Sequence, residues 1–276
     1  KRINKLNMTV SANMAYNKNE VTYVGTYTGF VAGTTVQGMS GAVTRMEKGY
    51  PMAYFWGYKT MGIFQNQEEV NSYIHINEDG TKQLIQPDAK PGDFRFQDTN
   101  NDGVIDDNDR QNLGNPYPDV TYGFNLNLEY RGFDLTINTS GTIGNKVFSV
   151  LRRMDLPMSN YQSWALGRWH GEGTSNSIPR VTTNDTNQSW SKPSDFHVKD
   201  GSYFRVRNIM LGYTTKLLKN YYIESLRVYA SVNNLFTFTK YEGYDPEIGG
   251  GVMSTGVDSG VYPHPRTVSF GINVTF

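Results

Sequence analysis

Apolar and polar residues alternate with a period of two in several long segments of the chain. From Leu6 to Tyr16 the apolar side chains occupy the even positions, and asparagine, serine and threonine occupy most of the odd ones. Because side chains at i and i+2 share one face of a strand, this alternation predicts amphipathic β-strands. The predicted strands cover about residues 5–16, 119–130, 132–143, 202–214, 225–236 and 266–276.

The segment 202–214 departs from strict alternation. Arg205 and Arg207 share a phase with Ile209 and Leu211, which would place two charges on an apolar face. One extra residue in a strand reverses the phase, so the pattern predicts a β-bulge near Asn208.

The length and polarity of these strands favour a membrane barrel. At about 9–12 residues, they match a tilted transmembrane strand better than the usual strand of about 5–6 residues in a globular sheet. Their polar face carries Asn, Thr, Ser and Gly rather than Lys and Glu, which is typical of a barrel lumen. A soluble β-sandwich shows the same alternation and stays open as the alternative.

The connections alternate between short and long. A tight turn joins Tyr130 to Phe133 and a modest one covers residues 215–224, whereas the loops cover about residues 17–118, 144–201 and 237–265. Outer-membrane barrels have short periplasmic turns and long extracellular loops, so the long ones are predicted to lie outside the cell. Six strands cannot close a membrane barrel, which needs at least about eight. The chain is therefore expected to be a fragment of a larger barrel.

Composition excludes several kinds of function. Lys plus Arg and Asp plus Glu both number 26, so no basic excess favours nucleic-acid binding. The absence of cysteine excludes disulfides, thiolate metal sites and cysteine nucleophiles. The chain contains no apolar run of about 18 residues, so no transmembrane helix is predicted. The four histidines lie far apart and no nucleophile motif is present, so the chain is predicted not to be an enzyme.

Residues 98–109 (DTNNDGVIDDND) match the D-x-[DN]-x-[DN]-G pattern of a calcium loop. Calcium binds about 6–8 hard oxygen ligands, and this segment offers them at alternate positions. An aspartate ends the loop where a bidentate glutamate is usual, which predicts weak affinity for a structural Ca²⁺. An Asn/Asp-rich turn without metal is the alternative. The predicted ligands are Asp98, Asn100, Asp102, the Val104 carbonyl, Asp106 and Asp109.

Aromatic side chains are frequent in the predicted loops. Their rings can stack on sugars, anchor a protein partner or pack the loops themselves. The candidates for contact with a substrate or partner are Tyr54, Trp56, Tyr58, Trp164, Trp169 and Trp190.

Seven segments of the chain, taken in order, match one known family. They are Asn13–Val24, Gly57–Asn66, Gly92–Arg110, Gly114–Gly144, Lys199–Tyr213, Val228–Phe236 and Arg266–Phe276. Together they resemble the C-terminal portion of the SusC/RagA-type TonB-dependent outer-membrane transporters of Bacteroidetes. The resemblance implies an all-β fold, the last six or so strands of a 22-stranded transmembrane antiparallel barrel. It also implies an N-terminal plug domain outside this chain.

The resemblance also implies partners and a location. It implies the outer membrane of a Gram-negative bacterium, a SusD-like surface lipoprotein, and energy from TonB–ExbB–ExbD through the missing N-terminal part. The cargo would be oligosaccharides, with peptides as the second choice. The barrel-assembly machinery would recognise the terminal strand through Phe276. The rival hypothesis is a soluble calcium-dependent glycan-binding β-module.

Overall fold

The computed structural model describes residues 2–3, 6–152, 160–216 and 223–276. Within these ranges the chain is mostly strand and loop, with the short helix α1 (Gln67–Ser72) and the 3-10 helices Asp107–Asp109, Ser163–Gly167 and Asp195–His197. The strands are β1 (Arg2–Ile3), β2 (Leu6–Tyr16), β3 (Phe30–Ala32), β4 (Thr44–Glu47), β5 (Tyr54–Gly57), β6 (Thr60–Ile63), β7 (Ile74–Ile76), β8 (Lys82–Leu84), β9 (Phe94–Phe96), β10 (Gln111–Asn112), β11 (Val120–Tyr130), β12 (Phe133–Ile143), β13 (Lys146–Ser149), β14 (Val198–Asp200), β15 (Tyr203–Thr215), β16 (Ser225–Thr239), β17 (Val257–Asp258) and β18 (Thr267–Thr275).

One large antiparallel sheet contains the six long strands. Its order is β1-β2-β11-β12-β15-β16-β18, so the long strands are neighbours in the order in which the chain makes them. β16 continues to Thr239, beyond the predicted end at 236. Residue 5, where the first strand was predicted to begin, lies outside the described residues.

A two-residue turn joins β11 to β12. Arg131 and Gly132 have φ values of 49° and 92°, the left-handed pair of a hairpin turn whose twist matches the flanking strands. This turn pairs Tyr130 directly with Phe133 and fixes the register of the whole β11–β12 ladder.

The predicted bulge is present in β15, at Arg207. Pairing with β12 and with β16 shifts register between Val206 and Asn208. The extra residue reverses the alternation, so Arg205 and Arg207 both lie on the polar face while Ile209 lies on the apolar one. The bulge thus removes the conflict between charge and apolar phase that the sequence presents.

The apolar face of the sheet carries aromatic rings near both ends of its strands. Near the short turn, the rings of Phe133 and Tyr213 lie 4.6 Å apart, centroid to centroid. Near the loops, Tyr122 stacks on Phe204 at 6.3 Å. Eight residues of β11 separate the two bands, roughly 26 Å along the strand at about 3.3 Å per residue. Two such aromatic bands around an apolar zone are typical of a transmembrane barrel.

The hydrophobic core lies in the loops rather than in the large sheet. Of the buried hydrophobic side chains in the described residues, only Tyr203 belongs to one of the long strands. Two clusters in the loops supply most of the core. One contains Tyr58, Ile63, Phe94, Phe96, Trp190 and Phe196, and the other Val43, Phe55, Phe148, Val150 and Val257.

The long connections have secondary structure of their own. They contain a four-stranded sheet (β10-β5-β4-β3), a three-stranded sheet (β14-β13-β17) and the pairs β6–β9 and β7–β8. These strands are short, so a period-two pattern is too brief within them to be detected from sequence. Within the described residues, no helix combines the length and apolarity needed to cross a membrane.

Candidate functional site

The predicted calcium loop is closed by hydrogen bonds from backbone amides to its own carboxylates. Asp98 Oδ2 accepts from the Gly103 amide at 2.9 Å, and Asp109 Oδ1 accepts from the Thr99 amide at 2.6 Å. Gly103 has a φ of 85°, a conformation that glycine adopts without a Cβ clash. Local hydrogen bonding therefore contributes to the shape of this loop.

The predicted calcium ligands differ in exposure. Asp109 is fully buried, whereas Asn100, Asp102, Val104 and Asp106 are exposed. In the described part of the chain, no three carboxylates of this loop bring their oxygen atoms within 4.8 Å of one another.

One atom of this loop nevertheless fits a cation. Asp98 Oδ1 is buried and has no hydrogen-bond partner among the described residues. A desolvated carboxylate oxygen without a partner is costly, and a bound cation would offset that cost. Calcium binding at residues 98–109 therefore stays a prediction.

Half of the predicted contact aromatics are buried. Tyr54, Tyr58 and Trp190 are 0%, 5% and 4% exposed. The Trp190 ring meets Phe196 edge to face at 5.7 Å, and its Nε1 donates to the Arg180 carbonyl at 3.0 Å. These rings present no free face to a ligand or partner, so the geometry supports loop packing for them and not contact.

Trp56, Trp164 and Trp169 keep part of their surface exposed. The Arg45 guanidinium lies 4.4 Å from a Trp56 ring centroid, and Trp169 Nε1 donates to Gln65 Oε1 at 3.2 Å. Contact of these three tryptophans with a substrate or partner stays a prediction.

The two arginines of the bulged strand bind the loop that follows β16. Arg205 is 1% exposed, and its Nη atoms lie 2.5 Å from Asp245 Oδ1 and 3.0 Å from Glu247 Oε2. Arg207 donates both Nη groups to Glu247, at 2.9 and 2.7 Å. The bulge places both guanidinium groups on one face, so a single carboxylate reaches both. We call this set, with His264, the arginine latch.

Asp245 is the most heavily bonded carboxylate of the arginine latch. Besides Arg205, it accepts from the Glu247 amide at 2.9 Å and from the His264 amide at 3.1 Å, and the His264 ring lies 3.0 Å away. Burial raises the pKa of Asp245, but the bonds from Glu247, Arg205 and His264 outweigh it and hold that pKa at about 2. Asp245 is therefore a carboxylate anion at neutral pH.

Asp245, Glu247 and His264 also bring their ligand atoms within 4.8 Å of one another. Both carboxylates already bind arginine, so a metal ion there would face two guanidinium charges. The geometry is that of an ion-pair network. Sequence reasoning missed these three residues; the only signal was the unusual phase of Arg205 and Arg207.

A cleft of about 340 Å³ opens between the loops, beside the 3-10 helices Ser163–Gly167 and Asp195–His197. Its lining joins residues from loop 144–201 with residues that follow β16. The side chains that define its chemistry are Arg152, Trp164, Phe196, Lys199, Tyr241 and Glu242.

Phe276 follows β18 and is 85% exposed. Phe270 and Ile272, on the same phase, are 83% and 69% exposed. The last residue therefore continues the exposed apolar face of the sheet, and its role as an assembly signal stays a prediction.

Known proteins with similar sequences are TonB-dependent receptors. Over its whole length the chain is 28% identical to TonB-dependent receptor P26 of Formosa agariphila, and over 84% of its length 29% identical to receptor P3 of that organism. It is 27% identical over 71% of its length to TonB-dependent receptor SusC of Bacteroides thetaiotaomicron. The chain is thus similar in sequence to the TonB-dependent receptors. No family model matches it.

The chain spans 28% of receptor P26, 23% of P3 and 19% of SusC. A share of about a quarter agrees with the predicted C-terminal portion of such a receptor.

Solved structures show the same fold. A structure of the RagAB peptide transporter matches with a TM-score of 0.71 at 20% identity, over all of this chain and 28% of the other. The same importer in its open-open state matches with a TM-score of 0.69 at 19% identity. The predicted fold class is confirmed: the chain is all-β and forms part of an antiparallel β-barrel wall with long loops.

Proposed function

We propose that this chain forms part of a TonB-dependent outer-membrane importer of nutrients, and that it transports rather than catalyses. The observation that carries the proposal is the inverted distribution of apolar side chains. Phe270 and Ile272 on the sheet are 83% and 69% exposed, whereas Phe55 and Phe96 in the loops are fully buried. A broad exposed apolar face is costly in water and is stable against lipid.

The proposed partners follow from the relatives. Similarity to TonB-dependent receptors supports energy supply by TonB–ExbB–ExbD, and similarity to SusC supports a SusD-like lipoprotein at the cell surface. The loop that contains β3 to β10 folds into small sheets and shares a hydrophobic core with the loop 144–201. Loops with their own secondary structure and core provide an ordered surface on which a lipoprotein partner can bind.

Oligosaccharides are the proposed cargo, and peptides are the second candidate. The peptide alternative has a specific observation behind it, because the solved structures compared above are of a peptide transporter. The partly exposed Trp56, Trp164 and Trp169 are proposed contacts for the cargo or the lipoprotein, since aromatic faces suit both sugar rings and protein anchors.

The test uses the full-length protein in its own outer membrane. We expect it to require detergent for extraction and to migrate abnormally on gels when unheated. Uptake of labelled oligosaccharide or peptide should stop when TonB is deleted or the proton gradient is collapsed. A protein recovered from the soluble fraction without detergent would contradict the proposal and favour the calcium-dependent glycan-binding module.

The terminal residue provides a separate test of assembly. Deleting Phe276 should lower the amount of folded protein in the outer membrane, because the barrel-assembly machinery is proposed to recognise the aromatic end of β18. Thr275→Ser, one residue earlier, is the control and should leave the level unchanged. Equal levels of the two variants by immunoblot would rule out the signal.

A further inference from the structure

The cleft between the loops has the size of a ligand site. Its volume of about 340 Å³ lies within the range of roughly 300–1,000 Å³ that small-molecule pockets occupy. A second depression of about 600 Å³ shares Arg152, Phe196, Lys199 and Glu242 with it. The two together form a continuous surface on which an extended ligand can lie.

Two cations flank the Phe196 ring in this cleft. The Arg152 guanidinium carbon lies 5.4 Å from the ring centroid, and Lys199 Nζ lies 5.0 Å from it. Arg152 is paired with Glu242. Within the described ranges, Lys199 has no carboxylate partner at salt-bridge distance.

Among the described residues, Lys199 is an ammonium group without a salt bridge. Burial and the neighbouring Arg152 lower its pKa, and together they outweigh the opposing effect of the Glu242 and Asp195 carboxylates, which raise it. A partly buried cation without a salt-bridge partner carries a desolvation cost that an incoming anion would offset. A charge-assisted hydrogen bond to such an anion is among the stronger polar contacts that proteins make.

Trp164 supplies an apolar wall on the other side of Arg152. The guanidinium carbon of Arg152 lies 5.5 Å from the Trp164 ring centroid, and the ring is partly exposed. A cation beside an aromatic wall suits a ligand that combines a flat or apolar body with an acidic group.

We infer that this cleft binds a carboxylate of the cargo, with Lys199 as its counter-ion and Trp164 as the wall against which the adjoining sugar ring or peptide packs. The inference rests on the proposed import function and names its substrate class as acidic. A uronic acid of an oligosaccharide and the carboxylate of a peptide share this chemistry.

The experiment measures binding to the purified full-length receptor in detergent by calorimetry. The first probe pair is trigalacturonate and its methyl ester, and the second is a hexapeptide with a free C-terminus and its amide. We expect one acid to bind about tenfold more tightly than its neutral form. Which pair shows the preference distinguishes the two sources.

Lys199→Gln should abolish that preference, and Lys199→Arg should retain most of it. Lys192→Gln is the matched control: Lys192 is also partly buried, with Nζ at 5.6 and 5.4 Å from the Tyr58 and Phe96 ring centroids, but it does not line the cleft. Its acid preference should equal that of the wild type. Gel migration of unheated samples shows that each variant is folded.

Three outcomes would overturn the inference: equal binding of acid and neutral forms to the wild type, no binding of either acid, or an unchanged preference in Lys199→Gln. Should Lys199→Gln fail to fold, the wild-type comparison of acid and neutral probes still decides. Energy-dependent import without a preference for the acid would contradict this inference but not the proposed function. Loss of outer-membrane location or of TonB dependence would instead contradict the proposed function.

Discussion

On the polar face of the sheet, single glycines leave room for side chains that extend over them from the neighbouring strands. A Cβ at Gly212 would lie 2.5 Å from Asp134 Oδ1, directly under the Asp134–Arg227 ion pair. A Cβ at Gly271 would lie 2.2 Å from Tyr229 Cζ, which faces it across the strands. Strand propensity alone would favour larger residues at these two positions. Glycine is needed there because the neighbouring side chains occupy the space of a Cβ.

The calcium prediction also belongs to this scale, because it depends on one unsatisfied oxygen atom. Calcium should stabilise the full-length protein by about 2.7 kcal/mol at a hundredfold excess over the dissociation constant, and so raise its melting temperature. Asp98→Asn should remove that gain, whereas Asp79→Asn, in an exposed hairpin turn, should keep it. Thermal unfolding with calcium and with chelator measures both. A wild type that melts equally with and without calcium would show that the loop is a metal-free turn.

At the scale of elements, the arginine latch joins a loop to the barrel wall. β15 presents Arg205 and Arg207 on one face because of its bulge, and the loop after β16 brings back Asp245 and Glu247. Breaking one partner of a buried ion pair is costly because the remaining charge loses its compensation. The loop's position therefore depends on a strand irregularity 40 residues earlier in the chain.

The pH dependence of the latch follows from the pKa of Asp245. That pKa is depressed to about 2 from the ordinary value of 3.8, so the stabilisation is complete above pH 3.8 and is lost as pH falls toward 2. A difference of this size corresponds to about 2 kcal/mol.

Asp245→Asn should loosen residues 240–266 at neutral pH. Faster amide hydrogen exchange in that loop, with no change in β2 or β11, is the expected result. Glu78→Gln, on an exposed hairpin, serves as control. Unchanged exchange in Asp245→Asn would show that the loop is held by other contacts.

At the scale of the whole molecule, one face of the large sheet is apolar and the other is polar. Ala230 and Ser231 are adjacent in β16 but face opposite sides. Ala230 pairs with Leu211 and Phe270, and Ser231 with Met210 and Ser269. The proposed barrel places the first side against lipid and the second in the lumen.

Arginine at these two neighbouring positions should therefore have unequal effects. Ala230→Arg puts a charge into lipid near the middle of the strand and should cost about 2–4 kcal/mol. Ser231→Arg puts the same charge in the lumen and should cost much less. Urea unfolding of the full-length protein refolded into vesicles measures both. Equal destabilisation would contradict a lipid-facing apolar side.

Much of the fold was visible in the sequence because strand faces follow a local rule. The alternation from Leu6 to Tyr16 needs no knowledge of distant residues, and neither does the phase break at Arg207. The turn at Arg131 and Gly132 is equally local. The small sheets of the loops were not predictable, since strands such as Phe94–Phe96 are too short to show a period.

The candidate site was less predictable, because it is made by distant segments. The sequence around a loop aromatic such as Trp190 is the same whether its ring is buried or exposed. Only the tertiary packing shows that Trp190 is buried. The partners of Arg205 and the cleft beside Lys199 likewise come from segments far apart in the chain.

The sequence by itself determined the alternating strands, their two faces and the resemblance to transporter barrels, since each depends on neighbouring residues or on segment order. The tertiary structure decided which loop side chains are buried, which carboxylates hold Arg205 and Arg207, and that Lys199 and Trp164 meet in one cleft. The physical reason is that a strand's face is set by backbone geometry over two residues. Burial and ion pairing depend instead on where the chain returns in space.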